Sequence, residues 1–289
     1  KEYLRLFPSL NASYNLTENF IGRVSYYESV GRPDFGQYAG GLTLPDIEQP
    51  KPGDKITVSN ASIKAWQARS YVARLEYYFG TASQVTAGFF IRDFTNFFAD
   101  VTRTVTPEFL AAYGLDEQTY GQYPVATEVN NPANVRMTGL EFNYRQALTF
   151  LPSWARGAQF FANATSQRAK DTDELQDMSP FSASWGLSVT RAKWNLRISE
   201  NYRGQKRTNP VTGTNIEPGT YSYYKKRLFI DVSGEYYLRR SLGLFLSVRN
   251  MNNAPEDQKI YGPRTPDYAQ FRAREAYHPL WTVGLKGTF

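Results

Sequence analysis

The sequence predicts an all-β fold, an antiparallel transmembrane β-barrel wall of about eleven strands with long connections at one end and short turns at the other. Three observations carry that prediction. Apolar and polar side chains alternate with period two in segment after segment. Charge is confined almost entirely to one of the two faces so defined. Long and short connections alternate strictly along the chain.

Successive residues of a strand point to opposite faces, so each segment reads as two rows. The first two candidates, 6–16 and 20–26, alternate weakly. Tyr71, Ala73, Leu75, Tyr77 and Phe79 then oppose Arg74 and Glu76. Val85, Ala87, Phe89 and Ile91 oppose Thr86, Gly88 and Arg92. Leu140, Phe142, Tyr144 and Leu148 oppose Gly139, Glu141, Asn143 and Arg145, and a weaker segment follows at 160–166. Over 181–190 the separation is complete. Phe181, Ala183, Trp185, Leu187 and Val189 share one face, and Ser182, Ser184, Gly186, Ser188 and Thr190 the other. Trp194, Leu196 and Ile198 oppose Asn195 and Arg197. Leu228, Ile230, Val232, Tyr236 and Leu238 oppose Asp231, Ser233 and Glu235. Leu242, Leu244, Leu246 and Val248 oppose Gly243, Ser247 and Arg249. Trp281, Val283, Leu285 and Phe289 oppose Thr282, Gly284, Lys286 and Thr288.

The polar rows hold Arg23, Arg74, Glu76, Arg92, Glu141, Arg145, Arg197, Asp231, Glu235, Arg249 and Lys286, which are expected to face a wet lumen. Only Asp93 and Glu200 fall on the apolar rows, both at segment ends. A charge facing lipid at the bilayer midplane costs about 2–4 kcal/mol, falling towards zero near the interface. A soluble sandwich also keeps charge off its buried face, so alternation alone leaves both architectures open. The connections separate them. Short turns fall at 17–19, 80–83, 151–157, 191–193 and 239–241, and long connections at 31–66, 103–134, 169–179, 204–223 and 253–274. Outer-membrane barrels have short periplasmic turns and longer extracellular loops, whereas a sandwich has no reason to gather its long loops at one end. Of the 16 prolines, all but Pro8 fall in connections or at strand margins, as a hydrogen-bonded ladder requires. Thr106, Pro107 and Gly114 read as N-cap, first helical residue and C-terminal stop of one short loop helix.

Composition narrows the function. Formal charge is +6, from 33 basic and 27 acidic residues mixed along the chain, with no basic block that would mark a nucleic-acid partner. The absence of Cys removes disulfides, thiolate metal sites and Cys nucleophiles. A single histidine, His278, excludes a multi-His metal centre and leaves one candidate for a His-based triad. Neither metal nor cofactor is expected. No phosphate loop, H-E-x-x-H or G-x-S-x-G motif is present, and no enzymatic activity is expected. No apolar run approaches the ~18 residues of a spanning helix. An aromatic share of 16%, with 21 Tyr and 19 Phe, suits two interfacial girdles. The chain starts at Lys1 without Met and without a signal peptide, which suggests a processed or partial polypeptide.

The last segment runs to Phe289. An aromatic end on an amphipathic final strand resembles the assembly signal of outer-membrane barrels. Other passages extend the likeness. Leu6-Phe7-Pro8-Ser9-Leu10-Asn11-Ala12-Ser13-Tyr14, then Arg23-Val24-Ser25-Tyr26-Tyr27 with Gly31-Arg32-Pro33, resemble successive strands of the TonB-dependent outer-membrane receptors. So do Gly139-Leu140-Glu141 followed by Leu151-Pro152, Gly157 and Asn163-Ala164-Thr165. Val248-Arg249-Asn250-Met251-Asn252-Asn253 and Gly284-Leu285-Lys286-Gly287-Thr288-Phe289 complete five pieces in the family's order. The resemblance implies a plugged barrel of about 22 strands, of which residues 1–289 supply the C-terminal part. By the same resemblance, the plug domain and the N-terminal barrel strands are expected to lie outside this chain. An odd number of strands with two open edges in lipid would leave backbone groups unpaired, so the first strand is expected to pair with the missing portion.

The function so implied is an energy-coupled outer-membrane receptor importing a scarce solute, such as an iron chelate, cobalamin or an oligosaccharide. Alternatives are a passive porin or a soluble all-β carbohydrate-binding module. The expected partners are the solute, outer-membrane lipid and lipopolysaccharide, the plug, and an inner-membrane TonB-type complex acting through the plug. Tyr and Trp give rigid contact area with a polar handle. The loop residues expected to touch ligand are therefore Tyr38, Trp66, Tyr113, Tyr120, Tyr123, Tyr221, Tyr223, Tyr261, Arg264 and Tyr268. Each has an alternative role in loop packing or in a girdle. Arg203, Lys206, Arg207, Lys225, Lys226 and Arg227 flank one long loop, where contact with lipopolysaccharide phosphates is the favoured reading.

Overall fold

Period-two segments separated by turn residues form strands, and 19 are present among the described residues. In chain order they are β1 (Ser9–Thr17), β2 (Phe20–Gly31), β3 (Leu42–Thr43), β4 (Ile56–Val58), β5 (Trp66–Phe79), β6 (Ser83–Thr95), β7 (Phe98–Arg103), β8 (Val125–Asn130), β9 (Val135–Ala147), β10 (Ala158–Lys170), β11 (Phe181–Thr190), β12 (Trp194–Arg203), β13 (Lys206–Pro210), β14 (Tyr221–Tyr224), β15 (Arg227–Arg239), β16 (Leu242–Arg249), β17 (Glu256–Tyr261), β18 (Phe271–Glu275) and β19 (Leu280–Gly287). Helices α1 (Phe35–Ala39), α2 (Pro107–Ala112) and α3 (Glu117–Tyr120) lie in the long connections. The structure, a computed structural model, describes residues 6–51, 53–80, 82–170, 178–211, 216–239 and 241–287. The assembly role expected of Phe289 falls outside the described residues.

Eleven strands form one antiparallel meander in the order β1-β2-β5-β6-β9-β10-β11-β12-β15-β16-β19. They are the eleven segments that alternation marks. The chain is a transmembrane-barrel wall with strands β1 and β19 at its two open edges. The register sorts side chains as the sequence implies. Tyr14, Val24, Leu75, Phe89, Leu140, Leu187, Leu246 and Val283 are exposed on one face, here the apolar face. Aromatic rings bound this face at both ends. Towards the short turns, Phe20, Tyr77, Phe79, Tyr144 and Phe160 form a chain of ring contacts with centroids 5.8–6.3 Å apart. Towards the long connections Tyr26 and Tyr71 meet at 5.2 Å.

Several strands run further than the alternation indicates, always towards the long connections. Strand β5 begins at Trp66 and β9 at Val135, while β10 continues to Lys170. The extensions put more charge on the apolar face than Asp93 and Glu200 alone. Glu28, Arg69, Arg136, Arg168 and Lys170 join them there by register. The physical reason is that beyond the apolar band the outward side chains are polar, so the two-residue period loses its contrast while the ladder continues. Pro8 is not an exception to the proline rule either, since it precedes β1 and its carbonyl accepts from the Glu28 N–H at 3.1 Å.

The long connections are not irregular loops. They fold into two four-stranded sheets, β3-β4-β8-β7 and β13-β14-β17-β18. The first contains a parallel pair, β4 with β8, inside an otherwise antiparallel chain. Helix α2 forms as its residues imply. The Thr106 hydroxyl accepts from the Phe109 N–H at 3.3 Å, Pro107 opens the helix, and Gly114 follows at φ +64°. Helix α3, capped by Asp116 through the Thr119 N–H at 2.8 Å, is an addition the sequence reading lacks.

Candidate functional site

The face opposite the apolar one carries the charges. By register, Arg23, Arg74, Glu76, Arg92, Glu141, Arg145, Arg197, Asp231, Glu235, Arg249 and Lys286 all lie on it. Neighbouring strands bring many of them into pairs. Arg23 Nε donates to Glu76 at 3.0 Å, and the Tyr78 hydroxyl donates to the other oxygen of Glu76 at 2.9 Å. Arg74 reaches Glu141 at 3.2 Å across the gap left by Gly88. Glu235 accepts from Tyr237 at 2.6 Å, Asn195 at 3.2 Å and Lys286 at 3.2 Å. Asp231 accepts from Asn201 at 3.1 Å and from the Asn250 N–H at 2.9 Å. The Arg197 guanidinium lies 3.9 Å from the Phe161 ring centre and that of Arg92 lies 4.6 Å from Phe90. Such mutually paired charges make a wall that is polar without being adhesive to any single ion.

Two features of this face escape an alternation reading. Towards the long connections Ala68, Phe90, Phe94, Val135 and Met137 form a buried apolar cluster, with Trp66 and Phe97 packed on it. Because Phe89-Phe90-Ile91 is apolar throughout, the alternation credits Phe89 and Ile91 to the lipid side and passes over Phe90. Further round the wall, Arg203 and Arg227 are register partners that share Glu256, at 2.6 and 3.6 Å. These two arginines therefore sit on the charged face and do not reach outward to lipid. Lys206 and Arg207 lie over the rings of Tyr224 and Tyr221, at 4.7 and 4.4 Å. Among the described residues, Arg74, Arg203 and Arg227 each keep a buried Nε without an acceptor.

The aromatic residues expected to meet ligand divide into four groups. Tyr120 and Tyr123 belong to the small core of the first loop sheet, packed with Ile56, Leu110 and Val125. Trp66 is the first residue of β5, not a loop residue, and its indole packs on Phe94 and Phe97 at 5.7 and 6.0 Å. Tyr221 and Tyr223 lie on β14, half-buried, with Tyr223 edge-on to Tyr261 at 6.3 Å. Tyr38, Tyr113, Tyr261 and Tyr268 present exposed rings. Arg264 is tied to Glu217 at 3.1 Å and borders an open groove of about 670 Å³ with Thr220, Ile260 and Pro266. Tyr261 ends β17, with Arg264 and Tyr268 after it in the β17–β18 connection of the second sheet, whereas Tyr113 ends α2 in the connection that forms the first.

Each loop sheet holds one shifted acid. Burial raises the Glu128 carboxyl above its ordinary value, with Gln37 donating to it at 2.6 Å in partial compensation. Paired hydrogen bonds from Arg274, at 2.6 and 2.9 Å, hold Asp257 below its ordinary value. Among the described residues no group of three or more His, Cys, Asp or Glu is placed to hold a metal ion.

Comparison with known proteins follows this geometry. A family model described as TonB dependent receptor-like, beta-barrel matches residues 1–251. No curated protein sequence matches the chain. Among solved structures, the ferric enterobactin receptor PfeA of Pseudomonas aeruginosa, in a variant form, is similar with a TM-score of 0.64 at 16% identity, over 98% of this chain and 40% of that one. The siderophore receptor PirA of Pseudomonas aeruginosa gives 0.59 at 16% identity, over 98% and 42%. The ferric citrate transporter FecA, unliganded, gives 0.58 at 15% identity, over 97% and 38%. The chain spans about two fifths of the length of these structures.

Proposed function

This chain belongs to the TonB-dependent receptor β-barrel family, and from that premise we propose that it forms the C-terminal part of the wall of an outer-membrane, energy-coupled importer. The cargo is a scarce small solute, and an iron chelate is the favoured class. The observation that carries this reading is the pairing of an eleven-stranded amphipathic wall with two folded sheets at its long-loop end. A passive pore has no need of structured loop sheets, and a soluble module has no need of an exposed apolar band on one whole face. The names of the similar structures, two siderophore-type receptors and a ferric citrate transporter, support the solute class.

In this reading the remaining strands of a larger barrel pair with the edges at β1 and β19. A plug fills the charged interior and transmits force from an inner-membrane TonB-type partner. Solute contact is assigned to the exposed rings, Tyr38, Tyr113, Tyr261 and Tyr268, and to Arg264 of the β17–β18 connection. Trp66, Tyr120 and Tyr123 hold the loop assemblies in shape.

The test is uptake of radiolabelled ferric chelates by cells carrying the complete receptor. Replacing the four exposed tyrosines by alanine is expected to abolish uptake while heat-modifiable mobility, the mark of an assembled barrel, is unchanged. Normal uptake in that variant would remove the assignment.

A further inference from the structure

The two loop sheets stand on the wall by different means. At the root of the first, the Asn131 N–H donates to the Phe97 carbonyl at 2.7 Å and the Asn130 side chain to the Asn96 carbonyl at 2.8 Å. Phe97 there packs on the apolar cluster of Phe90, Phe94 and Val135. At the root of the second, the β12–β15 ladder stops at the Arg203–Arg227 pair and the β13–β14 ladder starts at Lys206 and Tyr224. Residues 204–205 and 225–226 lie outside both ladders, and 250–255 and 276–279 link the other two strands to the wall. Among the described residues, no apolar side chain of β13, β14, β17 or β18 is buried.

Charge crosses this second root. Glu256, the first residue of β17, accepts from Arg203 at 2.6 Å and pairs with Arg227 at 3.6 Å. Arg203 is the last residue of β12 and Arg227 the first of β15, both on the charged face of the wall. The same guanidiniums reach the links. Arg227 donates to the Ala254 carbonyl at 2.9 Å and Arg203 to the Lys225 carbonyl at 3.5 Å. Arg203 also lies 5.3 Å from the centre of the Tyr224 ring on β14. The three ionised side chains are only 17–26% exposed, so salt screens their attraction far less than it would at the surface. One carboxylate thus joins two arginines that would otherwise repel each other as cross-strand partners.

We propose that Glu256 is a positioning residue. Through Arg203 and Arg227 it fixes the angle at which the second sheet stands on the wall, and so the place of Tyr261, Arg264 and Tyr268 at the barrel mouth. Tyr261 lies five residues along β17 from Glu256, about 16 Å at 3.3 Å per residue. A tilt of about 10° at the root therefore moves Tyr261 by about 3 Å, enough to break a ring contact with a bound molecule. A broken ladder and the lack of a buried apolar side chain leave the sheet free to tilt, and the Glu256 clamp opposes that tilt. The inference rests on the importer reading, in which those three residues meet solute.

The experiment makes two measurements on the complete receptor. Hydrogen exchange of the detergent-extracted receptor, read by mass spectrometry, needs no solute. Glu256→Ala is expected to raise exchange on the order of tenfold in β13, β14 and β17 together, the factor one charge-assisted hydrogen bond is worth in an equilibrium. The wall strands β11 and β16 are expected to exchange as in the wild type. Uptake by cells is measured with radiolabelled ferric enterobactin and ferric citrate. For whichever chelate is taken up, the half-saturating concentration is expected to rise on the order of tenfold in Glu256→Ala, with the maximal rate per assembled receptor unchanged. Glu256→Gln, which keeps an acceptor oxygen but no charge, is expected to fall between the wild type and the alanine variant. Asp93→Asn, which breaks the 2.6 Å pair with Arg136 on the opposite face, is expected to shift half-saturation by less than about twofold. Unchanged exchange in the second sheet overturns the clamp. A maximal rate that falls at an unchanged half-saturating concentration gives Glu256 a structural role only and overturns the positioning one. Uptake of neither chelate by the wild type counts against the iron-chelate reading alone, and the exchange result still upholds or overturns the clamp.

Discussion

Leu140→Arg probes the physical basis of the fold most directly. Leu140 is 60% exposed on the apolar face of β9, four residues inside the charged row that Arg136 shares with Arg69 and Asp93 by register. At about 3.3 Å per residue those four residues cover roughly 13 Å along the strand, or about 10 Å of depth at a 40° tilt. The whole band can be measured the same way. From Arg69 in the charged row to Phe79 in the lower aromatic girdle is ten residues, about 33 Å along β5 and about 25 Å in depth, which matches the height of a barrel's apolar band. Leu140 therefore sits within a few ångströms of the midplane. An arginine there is expected to cost about 2–4 kcal/mol, and the same change at Thr138, one row nearer the charges, about 1 kcal/mol or less. Asn143→Arg, on the charged face, is expected to change stability by less than about 0.5 kcal/mol. The assay is urea unfolding of the complete receptor in lipid vesicles, followed by tryptophan fluorescence and by heat-modifiable mobility. A flat profile, with Leu140 and Thr138 equally sensitive, would refute the reasoning. It would mean that the apolar face meets packed protein, where depth has no meaning, and not a bilayer.

Two further outcomes follow from the same geometry. Gly139→Ala would place a methyl 2.3 Å from the Phe90 ring and 2.8 Å from the Ser166 carbonyl; a cost of about 1–3 kcal/mol is expected in the same unfolding assay, while Gly41→Ala, with open space around it, serves as the neutral control. The two loop sheets should respond to acid in opposite senses, read by hydrogen exchange between pH 7 and pH 3. The Asp257 carboxyl is held below its ordinary value of 3.8, so the stability it gives β17–β18 is present above that value and lost as pH falls through the folded-state value. The Glu128 carboxyl is raised above its ordinary value of 4.5, so β7–β8 is most stable below that value and loses stability as pH rises through the folded-state value. Acid should thus open β17–β18 while tightening β7–β8, and parallel behaviour of the two would contradict the assignment.

The wall was legible in the sequence because lipid and water select opposite side chains on alternate residues, and that contrast survives in every one of the eleven strands. The loop sheets were not legible for a related reason. Strands such as β3 and β4, of two and three residues, are too short to show a period, and β14, Tyr-Ser-Tyr-Tyr, offers no apolar-polar contrast to read. Tyr123 and Trp66 illustrate the limit for the candidate site. An aromatic residue in a connection has the same letter whether it points at solvent or fills a small core, and only the fold of the connection decides. Tyr123 has Ile56 and Leu110 to bury it, and Ile56 belongs to a different connection far from it along the chain.

The mismatch between alternation and strand length is itself a measurement of the membrane. At the short-turn end the two agree closely: β5 ends at Phe79, β12 starts at Trp194 and β16 starts at Leu242, each where the alternation starts or stops. At the other end β2, β5, β6, β9, β10 and β12 all continue four or five residues past it. Hydrogen bonding does not stop there, so backbone chemistry cannot be the cause; what changes is the solvent on the outward face. The charged row from Glu28 to Lys170 falls in this extension, one step outside the tyrosines, where an arginine no longer costs what it would at Leu140. Strands β15 and β16 run at most a residue or so past the alternation, and no comparable row stands on them. The wall is thus taller outside the apolar band on the β2–β10 side, which is the side that carries the charged row.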